Sequence, residues 1–379
     1  MLKFILLITV FAYVSFTQNQ SFDQRVNEGI RHIYNIKFDE AEKSFRALIA
    51  DYPDHPSGRF FLAMIDWWKI LLDLENEEID DLFFQKLEDV IYQCDGILKK
   101  DKKNVDALFF KGGAIGFRGR LRALRESWLK AADDGREALP IVEHAANLDP
   151  DNVDVQLGFG IYNYYADVIP SEFPLIKPLM IFFPSGDKKK GIEQLRNTAF
   201  NGKYAKYEAQ YFLMTLYYRY ENNYSQAAEF AEILLNEFPD NPVFQRWLGR
   251  ISVRRNNWAI ADSLFRNVIF KAENNYAGYN APPALRESYY YIGYHQRENG
   301  KLDSAKTMFE KCRDLSLLVD KKEESGFLVN SVLYLAMIEE AQGRNENAID
   351  LFNKVLKMRE YGNSHSIAKT SLNTLKRGG

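Results

Sequence analysis

Residues Tyr211 to Pro239 read YFLMTLYYRYENNYSQAAEFAEILLNEFP, and the spacing inside this stretch decides the fold. Tyr211, Met214 and Tyr218 recur at the period of one helix; Ala227, Ala231 and Leu234 recur in a second, which Pro239 ends. The frame returns at Gly249, Ala261, Phe265 and Val268, then at Tyr289, Ile292, Gly293, Ala305, Phe309 and Cys312. It comes back once more at Leu335, Ala336, Ala348, Phe352 and Val355. Ala227 and Ala261 stand thirty-four residues apart, the length of one helix–turn–helix repeat. Small residues in the first helices and an alanine early in each second helix let two backbones approach. The Phe or Leu further on fills the gap to the next unit. The expected fold is an all-α solenoid of about seven helix pairs, whose work is to hold other molecules.

The bulk properties agree with that reading. The 379 residues are 46% hydrophobic, enough for a continuous core in a fold where each unit touches its neighbours. Charged residues nearly cancel at a net −3, so no global field draws the chain to nucleic acid or to an anionic bilayer. Two cysteines, Cys94 and Cys312, are too few for a disulfide framework, and Cys312 falls in a buried small-residue slot.

The chain opens Met1-Leu2-Lys3 and then runs apolar from Phe4 to Phe16, before Thr17-Gln18-Asn19-Gln20. One positive residue, a dozen apolar ones and a polar break form the layout of a secretory signal peptide, assigned here to residues 1–18. The run is short of the roughly 20 apolar residues that span a bilayer. Its removal takes away Lys3 and moves the net charge from −3 to −4. Export follows, to the periplasm or the outer membrane if the host is a diderm bacterium.

The remaining 19–379 read as one solenoid, with irregular repeats over 22–205, regular repeats over 206–362 and a capping segment over 363–379. Gly29, Ala41, Phe45 and Pro53 begin it, and an acidic stretch from Glu75 to Asp81 follows Trp67-Trp68. The run Gly116-Phe117-Arg118-Gly119-Arg120-Leu121-Arg122 breaks the pattern. An aromatic helix at 157–165 leads into an apolar insert at 169–184, whose four prolines forbid one long helix. Ser185-Gly186-Asp187 then caps a delayed second helix holding Gly191 and Leu195. Asn222, Asn256, Gly300 and Gly343 occupy the turns between paired helices, where left-handed backbone angles are tolerated.

These residues resemble the tetratricopeptide repeat family over essentially the whole mature chain, most strongly in the last four units. The middle portion is also similar to a group of exported bacterial repeat proteins and to a eukaryotic tetratricopeptide branch linked to lipid droplets and inclusion-body clearance. Gly158–Tyr165, the Pro-framed insert, and Ser185-Gly186-Asp187 with Gly191 carry that second resemblance. The family implies a right-handed superhelix whose concave wall of first helices binds peptides or partner proteins, without catalytic residues. Carried onto this chain, its groove positions are Phe212, Leu216 and Arg219; Arg246, Arg250 and Val253; Tyr290, Tyr294 and Arg297; Leu333, Met337 and Glu340. Of these, Arg219, Arg246, Arg250, Tyr290, Tyr294 and Arg297 are the candidate partner-binding residues, since arginines beside tyrosines grip carboxylates and stack on apolar groups. The alternative is that the arginines pair internally, with Glu287, Glu298 or Glu340. The Lys and Asn set of the family's carboxylate-clamp subgroup is missing, so that subgroup's ligand is not carried over.

No other chemistry stands out. The five histidines, His32, His55, His144, His295 and His365, never fall four apart, and no cysteine pair or acidic calcium loop accompanies them. Phosphate, dinucleotide and serine-nucleophile motifs are missing, so neither enzyme activity, cofactor nor metal is expected. Arg118, Arg122 and Arg125 at helical spacing form either a socket for an acidic partner or pairs with Glu126 and Asp133 on a solvated face. The second is expected. A protein or peptide partner in the groove is the leading function. An apolar small-molecule or lipid carrier built on 157–165 and 169–184 is the alternative. The insert at 169–184 is expected to fold back as a plug over the solenoid core, with an apolar docking patch for a partner and peripheral membrane contact as its other readings. Oligomeric state is open.

Overall fold

The computed structural model describes residues 21–172 and 184–378. Residues 1–18 and most of the insert, with the expectations attached to them, lie outside the described residues. Among the described residues seventeen α-helices follow one another, with one short 3-10 turn at Val153–Val155, and there is no strand. They form eight pairs: α1 Phe22–Tyr34 with α2 Phe38–Asp51, α3 Ser57–Leu72 with α4 Asp80–Lys100, α5 Val105–Leu124 with α6 Trp128–Leu148, and α7 Gln156–Glu172 with α8 Lys188–Asn201. The regular half adds α9 Lys206–Arg219 with α10 Tyr224–Glu237, α11 Pro242–Arg254 with α12 Trp258–Glu273, α13 Pro282–Glu298 with α14 Leu302–Val319, and α15 Gly326–Ala341 with α16 Asn345–Val355. The last helix, α17 Ser364–Gly378, covers the end of the stack with buried Ala368 and Leu372.

The packing device inferred from the spacing is the one that holds the helices together. Ala41, Ala227, Ala261, Ala305 and Ala348 are all buried, as are Phe45, Phe265, Phe309 and Phe352. A methyl group on Gly249 would lie 2.7 Å from the Phe265 ring, and one on Gly29 would lie 2.5 Å from the Phe45 ring. The glycine is therefore the seat of the phenylalanine one helix later. At α7 and α8 the approach is closer still: a methyl on Gly191 would lie 2.7 Å from the backbone nitrogen of Tyr164. Asp187 accepts from the Lys190 N–H and so caps α8.

Two local expectations are corrected. Gly116 to Arg122 does not interrupt the repeat, because α5 runs through it to Leu124. Gly119 sits where α6 crosses, with a methyl there only 3.0 Å from the Asp134 side chain, so it serves packing rather than a break. Pro170 does not start the insert either; α7 passes it and ends at Glu172. A proline at this position removes one helical hydrogen bond and leaves the rest of the helix in place.

The first pair folds back over the middle of the chain. Tyr34 packs on Trp68, Tyr207, Phe238 and Phe244 with ring centres 4.6, 5.1, 5.3 and 6.2 Å away. Its hydroxyl donates to Glu208, which also pairs with Arg120, and its carbonyl accepts from the Asn241 side chain at 2.8 Å. Arg31 pairs with Glu237, and Lys203 with Asp23 at 2.6 Å. Inward-facing aromatics of α1, α3, α5, α7 and α9 thus meet one another, and this part of the inner face is filled.

Candidate partner-binding strip

The first pair reaches as far as Phe244 at the start of α11, and the candidate residues line up from Arg219 onward, beside and beyond that contact. Arg219, at the end of α9, stands 5.6 Å over the ring of Trp247 on α11. Arg250, one turn further along α11, stands 4.9 Å over the same ring. Arg246 and Arg250 both reach Glu287 on α13, Arg246 at 2.8 Å through Nε and Arg250 at 2.7 Å through Nη2. Tyr290 on α13 accepts from the Asn330 side chain of α15 at 3.4 Å and packs on Phe327 and Tyr334. Tyr294 lies between Trp258 and Tyr334. Arg297 stands 4.3 Å over Tyr334 and pairs with Glu298 at 2.5 Å. All six candidates therefore belong to one continuous strip that runs across α9, α11, α13 and α15.

The electrostatics of the strip centre on Glu287, which is fully enclosed. Burial alone would raise its carboxyl, but Arg250 and Arg246 outweigh burial and hold it below the usual carboxylate range. Burial disfavours the charge on Arg246; Glu287 supports it, while Arg250 and Arg286 push it down again, and the net direction is downward. One carboxylate is shared between two guanidiniums and leaves the inner one under-compensated.

Three other groove positions, Phe212, Leu216 and Leu333, do not line an open surface. Phe212 and Leu216 are buried, Phe212 beneath Tyr165 and beneath Arg120, whose guanidinium is 4.5 Å from its ring. Leu333 is buried in the core shared by α15 and α16. The family frame puts these positions on the concave side, but here Arg120 from α5 and Tyr165 from α7 cover Phe212 on the α9 face. The residues that this reading missed are Trp247, Tyr218, Arg254 and Tyr334. Trp247 directly follows Arg246, and Arg254 extends the four-residue spacing of Arg246 and Arg250, so the signal was present in the sequence.

The arginine group on α5 has a different setting. Arg118 donates to Asp134, Glu88 and Glu137 at 2.9, 2.6 and 2.8 Å, and Arg122 also donates to Asp134, at 2.6 Å. Arg125 donates to Asp80 at 2.6 Å and to the carbonyl of Leu74, which pins the acidic 75–81 linker. The expected internal pairing is present, but its partners are not Glu126 and Asp133, and Arg118 is buried rather than solvated. Chain-distant carboxylates won because α4 and α6 both present them to the same face of α5.

A hollow of about 570 Å³ opens where α1 meets the segment before α9. Three of its carboxylates are already engaged: Asp23 by Lys203 and Tyr204, Asp106 by His55, and Asp154 by the backbone N–H groups of Lys203, Tyr204 and Ala205. Among the described residues no group of His, Cys, Asp or Glu could hold a metal ion, and no helix is long and apolar enough to cross a membrane. Cys94 and Cys312 are free and buried, with burial pushing their thiols up to about 12 and about 11.

Residues 26–65 and 331–358 match family models described as tetratricopeptide repeat. No curated protein matches the chain. Among solved structures it is similar to PilW, a type IV pilus biogenesis factor, at 14% identity over 70% of this chain and 97% of that one, with a TM-score of 0.42. The Pseudomonas aeruginosa protein pilF is similar at 12% identity over 69% and 97%, with a TM-score of 0.45. A repeat-containing protein of Cytophaga hutchinsonii is similar at 14% identity over 81% and 98%, with a TM-score of 0.38.

Proposed function

We infer that this chain, which belongs to the tetratricopeptide repeat family, is a non-catalytic scaffold that holds a protein or peptide partner. The partner lies along the strip from Arg219 to Arg297. One observation carries the reading: the inner face is filled by the chain itself up to the start of α11, and beside and beyond it a row of partly exposed arginines and tyrosines is left. Arginine and aromatic side chains dominate binding energy at protein interfaces, because they combine area with directed hydrogen bonds. The scaffold works outside the cytoplasm, delivered by residues 1–18. Replacing those residues with a single methionine is expected to leave the protein in the cytosol, which fractionation reads directly.

The groove itself is tested by photo-crosslinking in the native host. A photoreactive phenylalanine in place of Tyr294 should capture a discrete partner; the same group in place of Tyr92, 81% exposed on the outer helix α4, should not. Equal capture at both positions would remove the strip from the proposal. The carrier alternative rests on 157–165 with the insert 169–184, and residues 173–183 of that insert lie outside the described residues.

A further inference from the structure

Two groups of four arginines lie in this molecule, and they differ in what answers them. Arg118, Arg120, Arg122 and Arg125 meet five carboxylates, those of Asp80, Glu88, Asp134, Glu137 and Glu208. Arg219, Arg246, Arg250 and Arg254 surround Trp247 and meet one, that of Glu287. Arg254 reaches only the Tyr218 hydroxyl, at 3.5 Å, and the rings of Tyr218 and Tyr224, each 6.0 Å away. Arg219 has its place over Trp247, and among the described residues neither it nor Arg254 has a carboxylate partner. The strip therefore carries a local surplus of three positive charges in a chain whose net charge is −3. The guanidiniums are also held in place: Trp247 is buried, packs edge-on against Tyr218 at 5.2 Å and supports two of them. Little side-chain freedom is lost when an anion arrives, which favours binding.

Resting on the groove reading above, we propose that Arg219, Arg246, Arg250 and Arg254 receive a short acidic segment of the partner polypeptide. Its carboxylates take the exposed forks of Arg219 and Arg254 in charge-assisted hydrogen bonds, and its chain lies over the Tyr218–Trp247 edge. The size of the surplus selects the ligand. Three unmatched charges suit two or three carboxylates. Duplex nucleic acid, with a charge about every 1.7 Å, would bring many more than this strip can neutralise, against an opposing net charge.

The test uses fluorescence anisotropy with the full mature chain and a fluorescein-labelled peptide carrying three glutamates spaced by Gly and Ser. The comparison probes are the same peptide with Gln, the same peptide with Lys, and a twelve-nucleotide single strand. The Glu peptide is expected to bind saturably at low salt and to weaken as salt rises, while the Gln and Lys peptides do not bind. Arg219→Ala with Arg254→Ala should weaken it about tenfold or more. Both residues are exposed, so an unchanged thermal melt will show that the fold is retained. No binding of the Glu peptide at 1 mM, equal binding of the Gln peptide, an unaffected double variant, or tighter binding of the oligonucleotide each overturns the proposal. The groove reading is judged separately: a partner captured from position 294 while the Glu peptide fails would keep the scaffold and discard the acidic ligand.

Discussion

From α1 to the start of α11 the inner faces of the first helices touch one another, and residues about two hundred positions apart in the chain share contacts. Tyr34 with Phe238, Arg31 with Glu237 and Asn241 with Tyr34 are all of this kind. Beyond Phe244 at the start of α11, the strip is built from contacts between a helix and its neighbour or next neighbour, as at Arg246 with Glu287 or Arg297 with Tyr334. Links back to the first half are an exposed pair, Lys322 with Glu77, together with Ile36 beside Gly278. A stack of nearest-neighbour contacts unfolds in steps, whereas long-range closure ties distant units into one cooperative block. The same repeat chemistry thus yields a locked half and an open half, and the open half is where the inner surface remains for a partner.

The sharpest way to break this contrast is at the closure. Tyr34→Ala removes a buried ring that touches four others and donates to Glu208, and should cost about 3–5 kcal/mol. Hydrogen exchange should rise in α1, α3, α9 and the start of α11 and stay unchanged in α13 to α16. Equal loss of protection throughout would mean that the two halves are one block and that the contrast is not energetic.

Glu287→Gln probes the open half in the same way. It leaves Arg246 and Arg250 without their carboxylate, and removing one member of a buried ion pair costs about 3–5 kcal/mol. The lower end is expected, because Arg250 keeps 24% of its side-chain surface exposed and can turn to water. Urea unfolding followed by exchange should place the loss in α11 and α13, with α1 to α5 untouched.

The open half is also the part that could be read from sequence. Ala261, Phe265, Ala305 and Phe309 hold positions that any unit of this period must fill with a small residue and then a large one. The six candidate strip residues follow from the same frame. The locked half could not be read this way. Nothing in the spacing of Gly116 to Arg122 tells a packing glycine at Gly119 from a helix breaker, because the difference lies in Asp134 on a crossing helix. Nor does the frame reveal that Phe212 is covered, since Tyr165 comes from the preceding unit and Arg120 from the one before it. Periodicity reports a residue's own helix; closure depends on what returns to meet it.

A pH titration separates the halves by a smaller effect. Glu339 on α15 accepts from Arg344, Lys306 and Asn347, and Arg344 first, then Lys306 and Asn347, hold its carboxyl down at about 2 against burial. Its unfolded value lies near the ordinary 4.5, so its folded value is depressed. The stabilisation is complete above about pH 4.5 and is lost as pH falls from there through about 2. Loosening of α16 against α14 and α15 should follow that window by exchange, and Glu339→Gln should flatten it. Loosening that begins above pH 5 would assign the effect to another group.

The smallest expected effect lies in the turns, where the halves differ in residue type at the same backbone angle. Asn222, Asn256, Gly300 and Gly343 adopt φ of 49°, 56°, 73° and 73°, while Ile36 and Glu126 adopt 59° in the equivalent turns after α1 and α5. A residue with an ordinary Cβ pays about 1–2 kcal/mol for that region, and asparagine less. Ile36 is buried and packs beside Gly278, so changing it would mix strain with packing. Glu126 is exposed and gives the cleaner test. Glu126→Asn should stabilise by about 0.5–1 kcal/mol, a rise in melting temperature of about 1–2 °C. Asn256→Ala should lower it by a similar amount. If Glu126→Asn left the melt unchanged or lowered it, the Glu126 carboxylate would matter to its turn more than the backbone angle does. The turns of the two halves would then differ in mechanism and not only in residue type.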